Sequence, residues 1–273
     1  MRIEYLGGDD PEVAVVGGIH GDEPSGVRAI EHLLASDPDV ERPVALVIAN
    51  ERAIDKQVRY VDEDLNRAFP GDPDGETHES RLAARLGEVL DGCTVLSMHS
   101  TQSYREMFAL VQQLDEVTRS TVPRLSVTAV VDVGPEDKGR LFEVVERSIE
   151  IECGYQGSAA ATENAIRVTR EFLGAVGALP DKRRRAQRKL PLYRLRHPVP
   201  KQRANTYEVY ASNFEAVEAG EPFAAVDNEQ VVAEEGFYPV LMSPYGYENL
   251  FGYAAERIGT VTPPEHGNDA ADS

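Results

Sequence analysis

The chain has 273 residues, with 47 acidic against 28 basic side chains, a formal net charge of −19 and only two cysteines, Cys93 and Cys153. A field of that sign repels nucleic acid and anionic membranes, and two cysteines without paired-ligand spacing exclude a disulfide framework or a thiolate metal site. No stretch approaches the roughly 18 apolar residues of a membrane span, so the expectation is a cytoplasmic protein starting near Met1, with no nucleic-acid or membrane partner.

Lysine is scarce. Lys56, Lys138, Lys182, Lys189 and Lys201 leave arginine as the other 23 of the 28 basic residues. Acid excess with lysine avoidance fits a halophilic protein, because a Debye length of about 3 Å at 1 M salt screens the self-repulsion that loosens the fold in dilute buffer. The expected result is a melting temperature, followed by circular dichroism, that climbs from millimolar to molar salt. A flat profile would rule this adaptation out.

Along the chain, residues 13–18 and 44–48 are short apolar runs, as in interior strands of a mostly parallel sheet. Between them Pro24 marks a helix start, with Val27, Ile30, Leu33 and Leu34 on one face. A second helix is predicted over 78–90 and strands over 94–98, 107–111, 125–131 and 148–153. A third helix over 159–179 is stopped by Pro180. This alternation predicts a three-layer α/β domain over about 1–185 with a parallel or mixed sheet.

A basic run over 182–189 reads as a solvated linker. Turn-separated segments at 190–195, 205–211, 221–226, 230–235 and 237–242 then predict a small all-β domain over 186–261. Residues 262–273 are expected to be a disordered tail.

Chemistry concentrates where apolar runs end. Gly17-Gly18-Ile19-His20-Gly21-Asp22-Glu23-Pro24 follows one predicted strand, and Met98-His99-Ser100-Thr101 ends another. Open α/β sheets place their sites at such carboxyl ends. Two imidazoles and a carboxylate form a donor set for catalytic zinc with a fourth position open, although each histidine taken singly also reads as a structural, hydrogen-bonded residue. His32, His78, His197 and His266 read as structural or solvated. Arg59, Asn66 and Arg67 offer donors that match a carboxylate, yet their spacing alone reads equally as ion pairing with local acids.

Taken together, Gly-Gly-x-His-Gly-Asp-Glu at 17–23, Asn-x-Arg-Ala at 50–53, Arg-Tyr-x-Asp-x-Asp-Leu-Asn-Arg at 59–67 and the Met-His-Ser-Thr at 98–101 resemble the aspartoacylase and succinylglutamate desuccinylase family, itself related to zinc carboxypeptidases. The resemblance implies a zinc-carboxypeptidase-like fold and one zinc ion per chain on His20, Glu23 and His99. It implies that Arg59 polarises the scissile carbonyl or binds substrate, and that Asn66 and Arg67 hold the substrate α-carboxylate. Glu152, followed after one residue by Gly154, matches the family's general base. Glu150 lies on the same face of the strand but reads better as an outward-facing residue on an edge strand. Tyr247, with Tyr245 as the alternative, matches a tyrosine sent into the site from the small β domain. Arg140 and Arg147 both stand where the family reads an acidic side chain, and neither spacing fits well.

The implied activity is zinc-dependent hydrolysis of the amide bond of a small N-acyl amino acid, of the N-acetylaspartate or N-succinylglutamate kind. A zinc carboxypeptidase or an amidase for another acylated amine is the alternative on the same metal site. Retention of a base beside three ligands speaks against a non-catalytic binding protein. The sequence leaves the oligomeric state open, a homo-oligomer included.

Overall fold

Why the parallel strands carry a core on each face is visible in single strands. The computed structural model describes residues 1–135, 139–180 and 187–262. The strand β1 spans Arg2–Leu6 and β2 spans Val13–Gly17; α1 (Pro24–Ala35), β3 (Val44–Ile48), α2 (Glu51–Lys56), α3 (His78–Leu90) and β4 (Thr94–Thr101) follow. In β2, Val13 and Val15 pack into one buried cluster with Ala29, Ile30 and Leu33 of α1, while Ala14 and Val16 pack into another with Leu82 and Leu86 of α3. Alternation along an extended strand thus feeds helices on both faces, which is why these strands are apolar throughout.

The chain continues through β5 (Phe108–Val111), α4 (Glu116–Thr121), β6 (Val130–Asp132), β7 (Arg147–Tyr155) and α5 (Ala159–Ala175), the last packed beside α1. Then come β8 (Leu190–Pro200), β9 (Tyr207–Val209), β10 (Pro222–Val226), β11 (Glu229–Val232), β12 (Tyr238–Val240) and β13 (Leu250–Val261). The large sheet runs β1-β3-β2-β4-β7-β5-β6-β8-β13-β12, and β11-β10-β9 form a separate antiparallel sheet. From β3 through β2 and β4 to β7 the pairing is parallel, so the carboxyl ends of β2, β4 and β7 share one edge.

The mixed α/β architecture is the expected one, with local corrections. Of the predicted 125–131 strand only Val130 and Val131 lie in a strand, β6, which runs on to Asp132, and a 3-10 turn over Val122–Arg124 precedes the segment. The segments after residue 189 divide between the two sheets: β8, β12 and β13 extend the large one. The twelve-residue β13 was not foreseen, since its Ala, Gly and charged residues carry little strand propensity and tertiary pairing with β8 overrides it. Of the basic run, Lys182 to Arg185 lie outside the described residues, as does the predicted tail beyond residue 262. Among the described residues, no helix is long and apolar enough to cross a membrane.

Candidate active site

Two strand ends bring the histidines together. β2 ends at Gly17, and the next residues turn so that Glu23, immediately before Pro24 and the first turn of α1, donates its N–H to the His20 carbonyl at 3.3 Å. Gly21 permits the turn: a Cβ there would lie 2.2 Å from the Ala53 carbonyl carbon of α2. His99 sits near the carboxyl end of β4, the strand beside β2.

His20, Glu23 and His99 are 3%, 4% and 4% exposed, and one donor atom from each lies within 4.8 Å of the others. His20 Nδ1 stands 2.8 Å from Glu23 Oε1, and His99 Nδ1 stands 3.3 Å from Glu23 Oε2. The far ring nitrogens are engaged elsewhere: His20 Nε2 is 3.0 Å from Asp64 Oδ1, and His99 Nε2 is 3.2 Å from Ser97 Oγ. Outer partners of this kind orient metal-ligating imidazoles and fix which nitrogen faces the ion.

Burial by itself disfavours a charged His20, but the Glu23 charge and the hydrogen bonds of Asp64 and Glu23 outweigh it and raise its pKa to about 9. Burial likewise disfavours ionised Glu23, and the two histidines overcome it, holding that carboxyl well below the ordinary range. A buried carboxylate flanked by two inward imidazoles is a nitrogen and oxygen donor set that could hold a metal ion, unlike the all-oxygen shells of calcium or magnesium.

Arg59, Asn66, Arg67, Glu152 and Tyr247 line the same cleft, a solvent-open space of about 680 Å³. Arg59 donates to Glu23 Oε1 at 3.2 Å and to Asp64 Oδ2 at 3.1 Å. Asn66 accepts from the Leu141 N–H at 3.1 Å through Oδ1, so its NH2 is the end offered to a ligand, and Arg67 lies beside it at the cleft.

Glu152 on β7 faces His99 on β4 in the sheet register. Its Oε2 is buried with no hydrogen-bond partner among the described residues, and burial, then the Glu23 charge, push its carboxyl up to about 8. Gly154, at φ +118°, turns the strand where a Cβ would come within 2.7 Å of the Arg105 carbonyl oxygen. Tyr247 lines the cleft, and burial raises its phenol, keeping it neutral. Tyr245 is 59% exposed and packs on Tyr207 instead.

Two expectations change. β7 lies between β4 and β5 rather than at an edge, and Glu150 is 2% exposed in the cleft, not outward-facing. Arg140 lines the cleft, whereas Arg147 donates to the Gly92 carbonyl at the other end of the strand.

Asp64 was missed although it lies inside the quoted motif, because its acidity suggested only a surface partner for arginine. Glu79 was missed because a helical glutamate carries no signal. It is fully buried: Oε1 accepts from Val61 N–H at 2.7 Å and Asn50 Nδ2 at 3.0 Å, and Oε2 accepts from Asp62 and Glu63 N–H at 3.0 and 3.3 Å. The segment leading to Asp64, Asn66 and Arg67 is therefore tied to α3 by this carboxylate, together with the His78 N–H bond to Asp62.

Burial would raise the Glu79 pKa, but these donors hold it below the ordinary value. A depressed pKa contributes stability that is fully present above the unfolded value of about 4.3 and is lost as pH falls through the folded one. Glu79→Ala is expected to cost about 3 kcal/mol in chemical denaturation, since the buried Asn50 amide and three backbone N–H groups lose a charged acceptor. Glu79→Gln should flatten the acid limb of the stability profile below about pH 4; an unchanged acid limb would show that other carboxylates govern it.

Residues 9–179 match the catalytic domain of succinylglutamate desuccinylase/aspartoacylase. The chain belongs to this family. Over 128 residues it is 46% identical to aspartoacylase of Xenopus tropicalis, covering 46% of this chain and 39% of that one. Over 171 residues it is 31% identical to human N-acyl-aromatic-L-amino acid amidohydrolase (carboxylate-forming), covering 53% of each. The match thus spans at most about half the length of these curated relatives. The crystal structure of succinylglutamate desuccinylase/aspartoacylase from Rhodobacter sphaeroides superposes with a TM-score of 0.73 at 22% identity, over 93% of this chain and 89% of that one, which establishes the shared fold.

Proposed function

We propose that the chain is a zinc-dependent deacylase that hydrolyses the amide bond of an N-acyl amino acid, releasing the amino acid and a carboxylate. The observation that carries this reading is the Glu152 oxygen that has no hydrogen-bond partner among the described residues, in the cleft that also holds the His20, Glu23 and His99 donor set. When bound there, zinc supplies Lewis acidity and makes a water acidic enough to lose a proton near pH 7.

The chain's own residues do the rest. Glu152, held by burial at a proton affinity close to neutrality, takes a proton from the attacking water and returns one to the leaving amine. Arg59 is a fixed cation at the rim of the donor set, placed to stabilise negative charge on the former amide oxygen. Asn66 and Arg67 hold the amino acid's carboxylate and so present one particular C–N bond to the site. Tyr247 reaches this cleft from the portion after residue 186, which we assign to a C-terminal unit that closes the catalytic unit of residues 1–185.

Activity should therefore need a free carboxylate on the carbon bearing the amide nitrogen. Replacing it with a neutral amide removes a charged hydrogen-bonded contact to Arg67 and leaves the buried Asn66 donor less well met, with an expected loss of about 100-fold in kcat/KM. Steady-state assays of an N-acetyl amino acid and its C-terminal amide check this. Comparable rates on the two compounds would favour an amidase for other acylated amines.

A further inference from the structure

The cleft contains a second buried acid that the proposed reaction leaves without a task. In the register of β7 with β4, Glu152 faces His99 while Glu150 faces Ser97, two residues deeper along the strand. Glu150 Oε2 lies 3.5 Å from Arg140 Nη1, and the two residues are 2% and 5% exposed. Glu150 Oε1 is buried without a hydrogen-bond partner among the described residues, although both residues line the cleft.

This pair adjoins the carboxylate clamp. The Phe69 N–H donates to the Gly139 carbonyl at 3.1 Å, and the Leu141 N–H donates to Asn66 Oδ1 at 3.1 Å, so Arg140 is carried on a loop bonded to the loop of Asn66 and Arg67. An amino acid held there by its carboxylate has its own side chain beside Arg140 and Glu150.

Resting on the deacylase reading, we infer that Glu150 makes this subsite select an N-acyl amino acid whose side chain ends in a hydrogen-bond donor, above all an ammonium group, and reject one ending in a carboxylate. An arginine alone would attract a carboxylate. Here a carboxylate already sits against the guanidinium, so an incoming anion meets like charge at short range in a poorly solvated place. What the subsite lacks is a donor for Glu150 Oε1. A buried acceptor left unmet is costly, and sites of this kind discriminate strongly against ligands that fail to supply the missing group.

The test uses the full, zinc-loaded chain and the Nα-acetyl derivatives of ornithine, lysine, asparagine and aspartate, comparing kcat/KM. The ornithine or lysine derivative is expected to exceed the aspartate derivative by about tenfold or more. Glu150→Gln should shrink that ratio by about tenfold. Because this substitution disturbs Arg140, the Arg140→Gln, Glu150→Gln double variant and the wild-type panel provide separate readings, and the double variant should also lose the preference. A wild-type enzyme that favours the aspartate derivative, or a preference unchanged in both variants, overturns the role of Glu150 and leaves the deacylase reading standing. Absence of cleavage across the whole panel overturns the deacylase reading and this inference with it.

Discussion

Glu152→Gln is expected to keep the fold and the bound metal while turnover falls about 10²- to 10⁴-fold, the usual cost of removing a general base. Glutamine preserves the shape of the side chain on β7 and its place opposite His99, so packing against the sheet should be unchanged. What disappears is an acceptor that now has one oxygen buried without a partner among the described residues and a pKa raised to about 8 by burial and the Glu23 charge. Melting temperature and zinc content, read beside kcat, separate the outcomes. A stable, metal-loaded variant with near-normal kcat would move the proton transfer to Glu150 or to solvent. Equal losses of kcat and of zinc would instead mean that Glu152 supports the donor set.

The pairing of Glu150 and Glu152 also shows where the sequence ran out. Period-two alternation placed both on one face of a strand, and it did so correctly. It could not say whether that strand was interior, because strand order is set by long-range pairing that no local pattern encodes. β7 is flanked by β4 and β5, so an acid read as solvated is buried. The parallel half of the sheet was legible for the opposite reason: strands covered on both faces are apolar throughout, and residues 44–48 and 78–90 were bounded to the residue. His20, Glu23 and His99 stood out because each follows such a strand. Asp64, Ser97 and Glu79 act by orienting other groups, and nothing in composition or spacing separates them from surface polar residues. Arg140 and Arg147 could be told apart only in the structure, where Arg140 lies on a loop lining the cleft and Arg147 begins β7 at its other end.

His20→Ala combined with His99→Ala should reduce zinc from about one equivalent per chain to near none, with activity lost to the assay's limit. The two imidazoles are the only nitrogen donors in the group, and Glu23 alone offers a hard oxygen site with little preference for zinc over water-solvated competitors. Asp64→Asn gives the graded comparison. It leaves both imidazoles in place but removes the carboxylate that meets His20 Nε2 and pairs with Arg59, and loss of such an outer partner typically weakens metal binding about 10- to 100-fold. The double variant should fall well beyond that range.

Metal analysis on protein prepared without chelator, then dialysed against zinc, measures all three proteins alike. Stability has to be read alongside, because without its histidines Glu23 remains a buried carboxylate with Arg59 and the Ser100 N–H as partners. A lower melting temperature in the double variant is therefore expected and does not count against the assignment. Unchanged zinc content in a folded double variant would falsify it. Zinc retained by the double variant but lost in Asp64→Asn would put the ion on the other side of His20, against Asp64.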